Sequence, residues 1–164
     1  MNLLMLFVDG FEDVEAIATL DVLSRGKDNV KCVSMMKRKE IITKLGKTLV
    51  VDDVIENVNI KEFDGLIIPG GPGSFKTLAF HPLINEIISY FAEANKLVAS
   101  ICAAPFLVGR LGYFKSRNYT VHPGFENEII GGNYLRESGV VKVDNFITAK
   151  SMFYSIEFGL AIHE

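Results

Sequence analysis

Short apolar runs separated by turn residues recur along the chain. Four of them, each five or six residues long, predict strands that are buried on both faces: Leu3–Val8, Val30–Ser34, Asp64–Ile68 and Leu97–Ile101. Shorter runs predict further strands at Tyr119–Val121, Val140–Val143 and Phe146–Ala149, and a small hairpin over Ile41–Val51 with Gly46 in its turn.

Apolar residues at helical spacing lie between these runs. They predict helices over Glu12–Arg25, Pro82–Ala94, Ala103–Leu111 and Met152–His163. Strands that alternate with helices are typical of a mostly parallel sheet covered on both faces. We therefore expect an α/β fold, a flavodoxin-like three-layer sandwich of the class I glutamine amidotransferase-like kind, formed by a single domain over residues 1–164.

Composition and charge exclude several function classes. The 164 residues are 49% hydrophobic and 23% charged, and the net charge of −3 argues against nucleic-acid binding, which usually needs a basic face. No apolar run reaches the length of a membrane span, and the start MNLLMLFVDG predicts a strand rather than a signal peptide. We expect a cytoplasmic protein whose two cysteines, Cys32 and Cys102, are free thiols. No cluster has the spacing of metal ligands, so we expect neither a metal nor another cofactor.

Cys102 lies at the predicted junction of a strand and a helix, within SICAAPFLVGRLG. A residue at such a sharp turn is exposed above the sheet, as in a nucleophile elbow. The start of a helix carries free amides and partial positive charge, which lower a thiol pKa. This position predicts a thiol that is mostly thiolate at neutral pH, with a buried inert cysteine as the alternative.

Three other segments end at the same edge of the predicted sheet. In IIPGGPG, a backbone amide of the glycine pair could join that of Ala103 as a two-donor oxyanion hole; a tight loop is the alternative. In DGFEDVEA, Glu15 could turn inward toward the cysteine, whereas acidic residues at a helix start usually only complement the helix dipole. His122, in TVHPG, is a candidate base or a simple loop histidine.

The combination of these segments resembles the ThiJ/PfpI superfamily, and within it the branch of the Parkinson-linked protein deglycase (DJ-one) and its ThiJ/YajL relatives. The resemblance runs along the whole chain through FVDGFEDVEAIATLDVLSRG, LIIPGGPGS, SICAAPFLVGRLG, TVHPGFE and SIEFGLAIHE. It implies that Cys102 is the oxidation-prone nucleophile and that Glu15 contacts its sulfur. It also implies an oxyanion hole from the Gly71 and Ala103 amides, and a histidine, His122, near the thiol.

The same resemblance implies a homodimer, with Arg25 near the interface as an anion-binding residue. Two positions depart from the family's patterns. The protease-like branch has a histidine directly after the cysteine, where this chain has Ala103. A second basic residue near the deglycase's dimer pocket corresponds to Gly46 or Lys47 here.

Three functions remain open from the sequence. The first is a cysteine-dependent glyoxalase or deglycase that acts on methylglyoxal-type dicarbonyls and glycation adducts without glutathione. The second is a non-enzymatic oxidative-stress sensor or redox chaperone that works through oxidation of Cys102. The third is a peptidase or amidase, or a protein of thiazole monophosphate biosynthesis, and Ala103 weakens its peptidase form.

Overall fold

A seven-stranded sheet forms the centre of the computed structural model, which describes residues 1–164. The strands of the chain are β1 (Asn2–Phe7), β2 (Asn29–Ser34), β3 (Glu40–Ile42), β4 (Thr48–Val50), β5 (Asp53–Val54), β6 (Gly65–Ile68), β7 (Leu97–Ile101), β8 (Asn118–Tyr119), β9 (Asn133–Tyr134), β10 (Val140–Val143) and β11 (Phe146–Ala149). The central sheet has the order β10-β11-β7-β6-β1-β2-β5, and only the β10–β11 pair is antiparallel.

Five α-helices accompany the strands: α1 (Asp13–Arg25), α2 (Pro72–Lys76), α3 (Ile84–Glu93), α4 (Pro105–Gly109) and α5 (Ser155–His163). Helix α1 begins after Glu12, whose side chain accepts a hydrogen bond from the Glu15 N–H at 2.8 Å. This capping bond satisfies one of the free amides of the first turn. None of the five helices combines the length and the apolar character that crossing a membrane requires.

Two apolar cores lie on opposite faces of the sheet. Along β1, Leu3, Met5 and Phe7 belong to the core that α1 and α5 cover. The intervening Leu4 and Leu6 belong to the other core, which includes side chains of α3 and α4. Because successive residues of a strand point to opposite faces, this alternation produces the three layers. The expected α/β sandwich with a mostly parallel sheet is confirmed.

The element bounds differ from the sequence prediction mainly where runs are short. The helix expected over Ala103–Leu111 is confined to α4, because residues 102–104 form the turn into it. The strand expected at Tyr119–Val121 is the two-residue β8, which pairs with β9 outside the central sheet. The hairpin is β3–β4, with Gly46 in its turn at φ +76°. Strands β5 and β9 and helix α2 were not predicted.

Three neighbouring strands bring the candidate site together. β7, β6 and β1 are adjacent and parallel in the sheet, so their carboxyl ends meet at one edge. Cys102 follows β7, the glycine loop follows β6, and the segment leading to Glu15 follows β1. This edge is where open α/β sheets usually bind ligands.

Candidate active site

Cys102 occupies a left-handed turn directly after β7, with φ at +64°. Residues other than glycine rarely adopt this backbone conformation, which costs about 1–3 kcal/mol. Contacts with neighbouring segments must therefore hold Cys102 in it. The Cys102 N–H donates to the Ala149 carbonyl, and its own carbonyl accepts from the His122 N–H, both at 2.8 Å. Two chain segments therefore fix the turn, and the thiol lies at the junction of strand and helix, as the sequence predicts.

Glu15 lies beneath this turn and is only 1% exposed. Its Oε2 accepts from the Gly70 N–H at 2.8 Å, and its carboxyl lies beside the Cys102 side chain across Gly70. The other carboxyl oxygen, Oε1, is buried without a hydrogen-bond partner. Helix α1 thus turns this glutamate inward, while Asp13 of the same turn is half-buried.

The pKa of the Glu15 carboxyl is raised from 4.5 to about 7, and burial is the largest cause. The negative charge of Glu12 also raises this pKa. Interaction with the Cys102 thiol, the hydrogen bond from the Gly70 N–H and the positive charge of Lys44 lower it. At neutral pH the carboxyl is therefore divided between its protonated and ionised forms.

The glycine pair after β6 makes the close approach possible. A Cβ at Gly70 would lie 2.7 Å from both the Cys102 Cβ and the Glu15 Oε2. Gly71 has φ at +92°, and a Cβ there would lie 2.5 Å from the Glu12 nitrogen. Any side chain at either position would separate the thiol from the carboxyl or displace the start of α1.

The backbone amides of Ala103 and Gly71 lie near the Cys102 sulfur, and each lowers the pKa of the thiol. These are the two donors that the sequence predicts for an oxyanion hole. The distance between these two amides is determined by the backbone turn at Cys102 and by the backbone turn at Gly71.

The pKa of the Cys102 thiol is nevertheless raised, and the expectation of a lowered value is wrong in direction. Burial of the thiol is the largest cause, followed by the charge and hydrogen bond of Glu15, and together they outweigh the two amides. Helix α4 has only five residues and supplies a small dipole. Of the two buried groups, the carboxyl loses its proton first.

His122 reaches the site through its backbone and not through its ring. The imidazole is exposed, its Nδ1 lies 3.1 Å from the Pro123 carbonyl oxygen, and its ring meets the edge of Phe125 at 6.1 Å. In the single chain, the ring makes no hydrogen bond with the thiol. The contact of His122 with Cys102 is the backbone hydrogen bond described above, and the expected approach of its imidazole to the thiol is not present in the single chain.

Arg25 lies away from the thiol. It is the last residue of α1, ten residues after Glu15, which corresponds to about 15 Å along the helix. Its guanidinium is 77% exposed and pairs with Asp21 at 2.9 Å. This chain does not bring Arg25 together with Cys102.

Sequence reasoning missed the residues that attach the β3–β4 hairpin beside the site. Asp9, directly after β1, accepts from the Arg38 guanidinium and from the Ile42 N–H at 2.9 Å. The Lys44 N–H donates to the Phe11 carbonyl at 2.9 Å. Lys44 is therefore the hairpin cation that influences Glu15, rather than Lys47. The acidic segment after β1 indicated that polar contacts form at this edge of the sheet. The residues that make these contacts come from a different part of the chain, so the sequence did not reveal them.

No group of three histidine, cysteine or acidic side chains is arranged to hold a metal ion. The site consists of one thiol, one buried carboxyl and two backbone donors at the carboxyl edge of a parallel sheet. Fold and site together define an α/β protein with a cysteine at a strand-to-helix elbow. The DJ-1/PfpI family profile matches residues 1–164, and the chain belongs to this family.

Curated relatives cover nearly the whole chain. Protein DJ-1 homolog B of Arabidopsis thaliana is 31% identical over 99% of this chain, which spans only 37% of that longer relative. The glutathione-independent glyoxalase DJR-1.2 of Caenorhabditis elegans is 34% identical over 99% of this chain and 86% of its own length. The deglycase PYRAB04690 of Pyrococcus abyssi is 33% identical over 92% of this chain and 90% of its own length.

The fold also matches solved structures. The crystal structure of Drosophila melanogaster DJ-1beta superposes with a TM-score of 0.92 and 25% identity, covering 100% of this chain and 90% of that one. The sequence resemblance to the ThiJ/PfpI superfamily is thereby confirmed.

Proposed function

We propose that this protein is a cysteine-dependent glyoxalase that acts without glutathione on methylglyoxal-type dicarbonyls, and that the same thiol attacks early glycation adducts. The observation that carries this proposal is the pairing of Cys102 with a buried carboxyl, Glu15, whose pKa is about 7. Relatives of similar length named as a glutathione-independent glyoxalase and a deglycase support it.

The first step is transfer of the thiol proton to ionised Glu15. An isolated thiol of raised pKa would stay protonated, but a neighbouring carboxylate can take its proton as sulfur attacks. The thiolate sulfur then bonds to the aldehyde carbon of methylglyoxal. The aldehyde oxygen becomes an oxyanion, which the Gly71 and Ala103 amides stabilise until protonated Glu15 returns the proton to it, which gives a hemithioacetal and leaves Glu15 ionised.

The second step moves a proton within the bound substrate. Glu15 takes the proton from the former aldehyde carbon and, through an enediol, returns a proton to the neighbouring carbon. This isomerisation leaves a lactoyl thioester on Cys102, without any outside oxidant or reductant. Water then cleaves the carbon–sulfur bond, which releases lactate and restores the thiol.

A methylglyoxal assay without glutathione tests this proposal. The purified wild-type chain should consume methylglyoxal and form an equal amount of lactate. Cys102→Ser should abolish lactate formation. Cys32→Ser is the matched control and should keep it, because Cys32 lies within β2 and does not have Glu15 beside it. Equal lactate formation by the Cys102→Ser variant would overturn the proposal.

The second candidate function is an oxidative-stress sensor. Cys102 is partly exposed, and the Gly71 and Ala103 amides and protonated Glu15 could all donate to the oxygens of a sulfinic acid. Peroxide would oxidise the sulfur in two steps, each releasing water. Intact-mass spectrometry after peroxide treatment should then show two added oxygens on Cys102, together with lactate formation too slow to measure. No observation favours the peptidase or thiazole-biosynthesis alternatives.

We further propose that the protein forms a homodimer through the face of α1 and α5. These two helices pack together, and their outer face and the nearby hairpin expose large apolar side chains. They are Val14, Ile17, Ile42, Leu45, Val50, Met152, Phe153, Ile156 and Leu160. Exposed apolar patches of this kind usually mark protein interfaces.

Light scattering after size exclusion tests the dimer. The wild-type chain should have twice the monomer mass of 18.2 kDa, and Ile17→Glu should reduce it to the monomer mass. Ile130→Glu is the control, because Ile130 is similarly exposed but belongs to neither helix nor hairpin.

Both cysteines are free thiols, a state that a reducing cytoplasm maintains. We therefore propose that the protein is cytoplasmic.

A further inference from the structure

One buried threonine of β11 connects two of the segments that hold the Cys102 turn. Thr148 is 2% exposed and lies beside Ser100 of β7 in the register of the sheet. Its Oγ1 accepts a hydrogen bond from the Thr120 N–H at 2.9 Å. The next residue of β11, Ala149, supplies the carbonyl that accepts from the Cys102 N–H at 2.8 Å. Adjacent positions of one strand therefore contact the turn itself and the segment that makes its second contact.

This segment, residues 120–122, has no strand ladder of its own, because β8 ends at Tyr119. Thr120 is fully buried, and its Oγ1 donates to the Ser138 carbonyl at 3.0 Å. Its N–H has the Thr148 hydroxyl as its acceptor. A buried N–H without an acceptor is costly. The hydroxyl of Thr148 therefore allows the segment to lie against β11.

Two residues after Thr120, the same segment makes the second contact with the turn. The His122 N–H donates to the Cys102 carbonyl at 2.8 Å. Because the left-handed conformation of Cys102 is unfavourable, loss of this bond should let the turn relax. The thiol would then move relative to the Gly71 and Ala103 amides. A displacement of about 1 Å at a reacting group lowers a rate by up to about 100-fold.

We propose that Thr148 is a positioning residue for Cys102: its hydroxyl holds residues 120–122 against β11 and thereby keeps the thiol in its left-handed turn. Thr148 neither gives nor takes a proton in the reaction. Its effect on turnover rests on the proposed glyoxalase function, whereas its effect on the turn does not. Absence of lactate formation by the wild-type chain would therefore contradict the proposed function alone, and amide exchange would still decide the role of Thr148.

Three variants separate the Thr148 hydroxyl from buried hydroxyls in general. Thr148→Val keeps the shape of the side chain and removes the acceptor. Thr148→Ser keeps the hydroxyl. Ser100→Ala is the matched control, because it removes a hydroxyl that is similarly buried on the same face of the sheet but has no hydrogen-bond partner.

Amide hydrogen exchange of the full chain, followed by NMR, measures how firmly the segment is held. The reference is the Val98 N–H, which is hydrogen-bonded near the other end of β7 and reports general loss of stability. In Thr148→Val, exchange at Thr120 and His122 should become at least about tenfold faster relative to this reference, because opening the segment no longer breaks the bond to the hydroxyl. Thr148→Ser and Ser100→Ala should keep this ratio within about threefold of wild type.

The kinetics of methylglyoxal turnover test the same role at the thiol. Thr148→Val should lower kcat per folded molecule at least about tenfold and change KM less than about threefold, because the thiol is misplaced while the entry of substrate is unaltered. Thr148→Ser should keep kcat within about threefold of wild type. A purely structural role would lower only the folded fraction, which circular dichroism measures.

Exchange in the wild-type chain tests the inference without any substitution. The Thr120 and His122 amides should have protection factors within about tenfold of each other, since one hydroxyl holds both. A Thr120 amide less protected than this range would mean that the contact between His122 and Cys102 persists without Thr148, and the inference would be wrong.

Three further results would overturn the inference. They are an unchanged exchange ratio in Thr148→Val, an equal change of this ratio in Ser100→Ala, or a wild-type kcat of Thr148→Val where the wild-type chain forms lactate.

Discussion

The buried carboxyl of Glu15 should make the stability of the protein depend on pH. Folding raises its pKa from 4.5 to about 7, so between these values the folded chain holds a proton that the unfolded chain releases. Stability from this group is complete below about pH 4.5 and is lost as the pH rises through 7. The gap between the two pKa values corresponds to about 3 kcal/mol, because each pKa unit is worth about 1.4 kcal/mol.

Glu15→Gln removes this proton while keeping the size of the side chain and an oxygen that can accept from the Gly70 N–H. Between pH 5 and pH 8, the wild-type chain should lose about 2.5 kcal/mol of unfolding free energy relative to this variant, which is most of the total effect. Urea denaturation at several pH values measures the difference. Glu157→Gln is the control, since it replaces an exposed glutamate in the first turn of α5, and its curve should parallel the wild type.

Parallel curves for wild type and Glu15→Gln from pH 5 to pH 8 would refute the reasoning. They would mean that the carboxyl titrates at its ordinary value in the folded chain. Glu15 would then be fully ionised well below neutrality, and it would be too weak a base to take a proton from the thiol.

Further consequences follow from the same contacts. The kcat/KM for methylglyoxal should rise about tenfold per pH unit below 7 and level off above it, since only ionised Glu15 accepts the thiol proton; a flat steady-state profile would contradict this. Glu15→Gln should lower kcat/KM about 100-fold or more, and yet lower the thiol pKa of Cys102, seen as thiolate ultraviolet absorbance, because a nearby negative charge is lost. Gly70→Ala should cost about 2 kcal/mol or more in urea denaturation, as its Cβ would meet Cys102 and Glu15. His122→Ala should change kcat/KM less than about threefold, because its ring bonds to Pro123 and its backbone tie remains.

The central fold could be predicted because its strands are continuous apolar runs. β7 and β11 begin and end where the sequence predicts, since burial on both faces requires an apolar residue at nearly every position. Short elements lack such a pattern. β5 has two residues and α2 has five, of which the first two are Pro72 and Gly73. Their conformation comes from pairing with β2 and from the glycine loop, not from their own residues.

The site was predictable where chain topology alone determines proximity. Because β7, β6 and β1 are neighbours, the residues at their carboxyl ends meet, and Cys102, Gly71 and Glu15 are among them. The sequence does not reveal which way a side chain turns. The His122 ring faces Pro123, and Arg25 reaches Asp21 within its own helix, although both residue types suit an anionic or thiol site.

The direction of the Cys102 pKa is another property that reasoning from position could not settle. A helix start lowers a thiol pKa only if the dipole and amides outweigh burial, and here α4 is one turn long while the thiol is closely packed against a carboxyl. Since the turn does not ionise the sulfur, activation must come from an acceptor that takes the proton during attack. Glu15 can accept this proton near neutral pH because its carboxyl, mainly through burial, has a pKa of about 7. The burial of Glu15 that makes the folded chain less stable above pH 7 therefore also provides the catalytic base. A variant such as Glu15→Gln, which removes this loss of stability, should lose the glyoxalase activity as well.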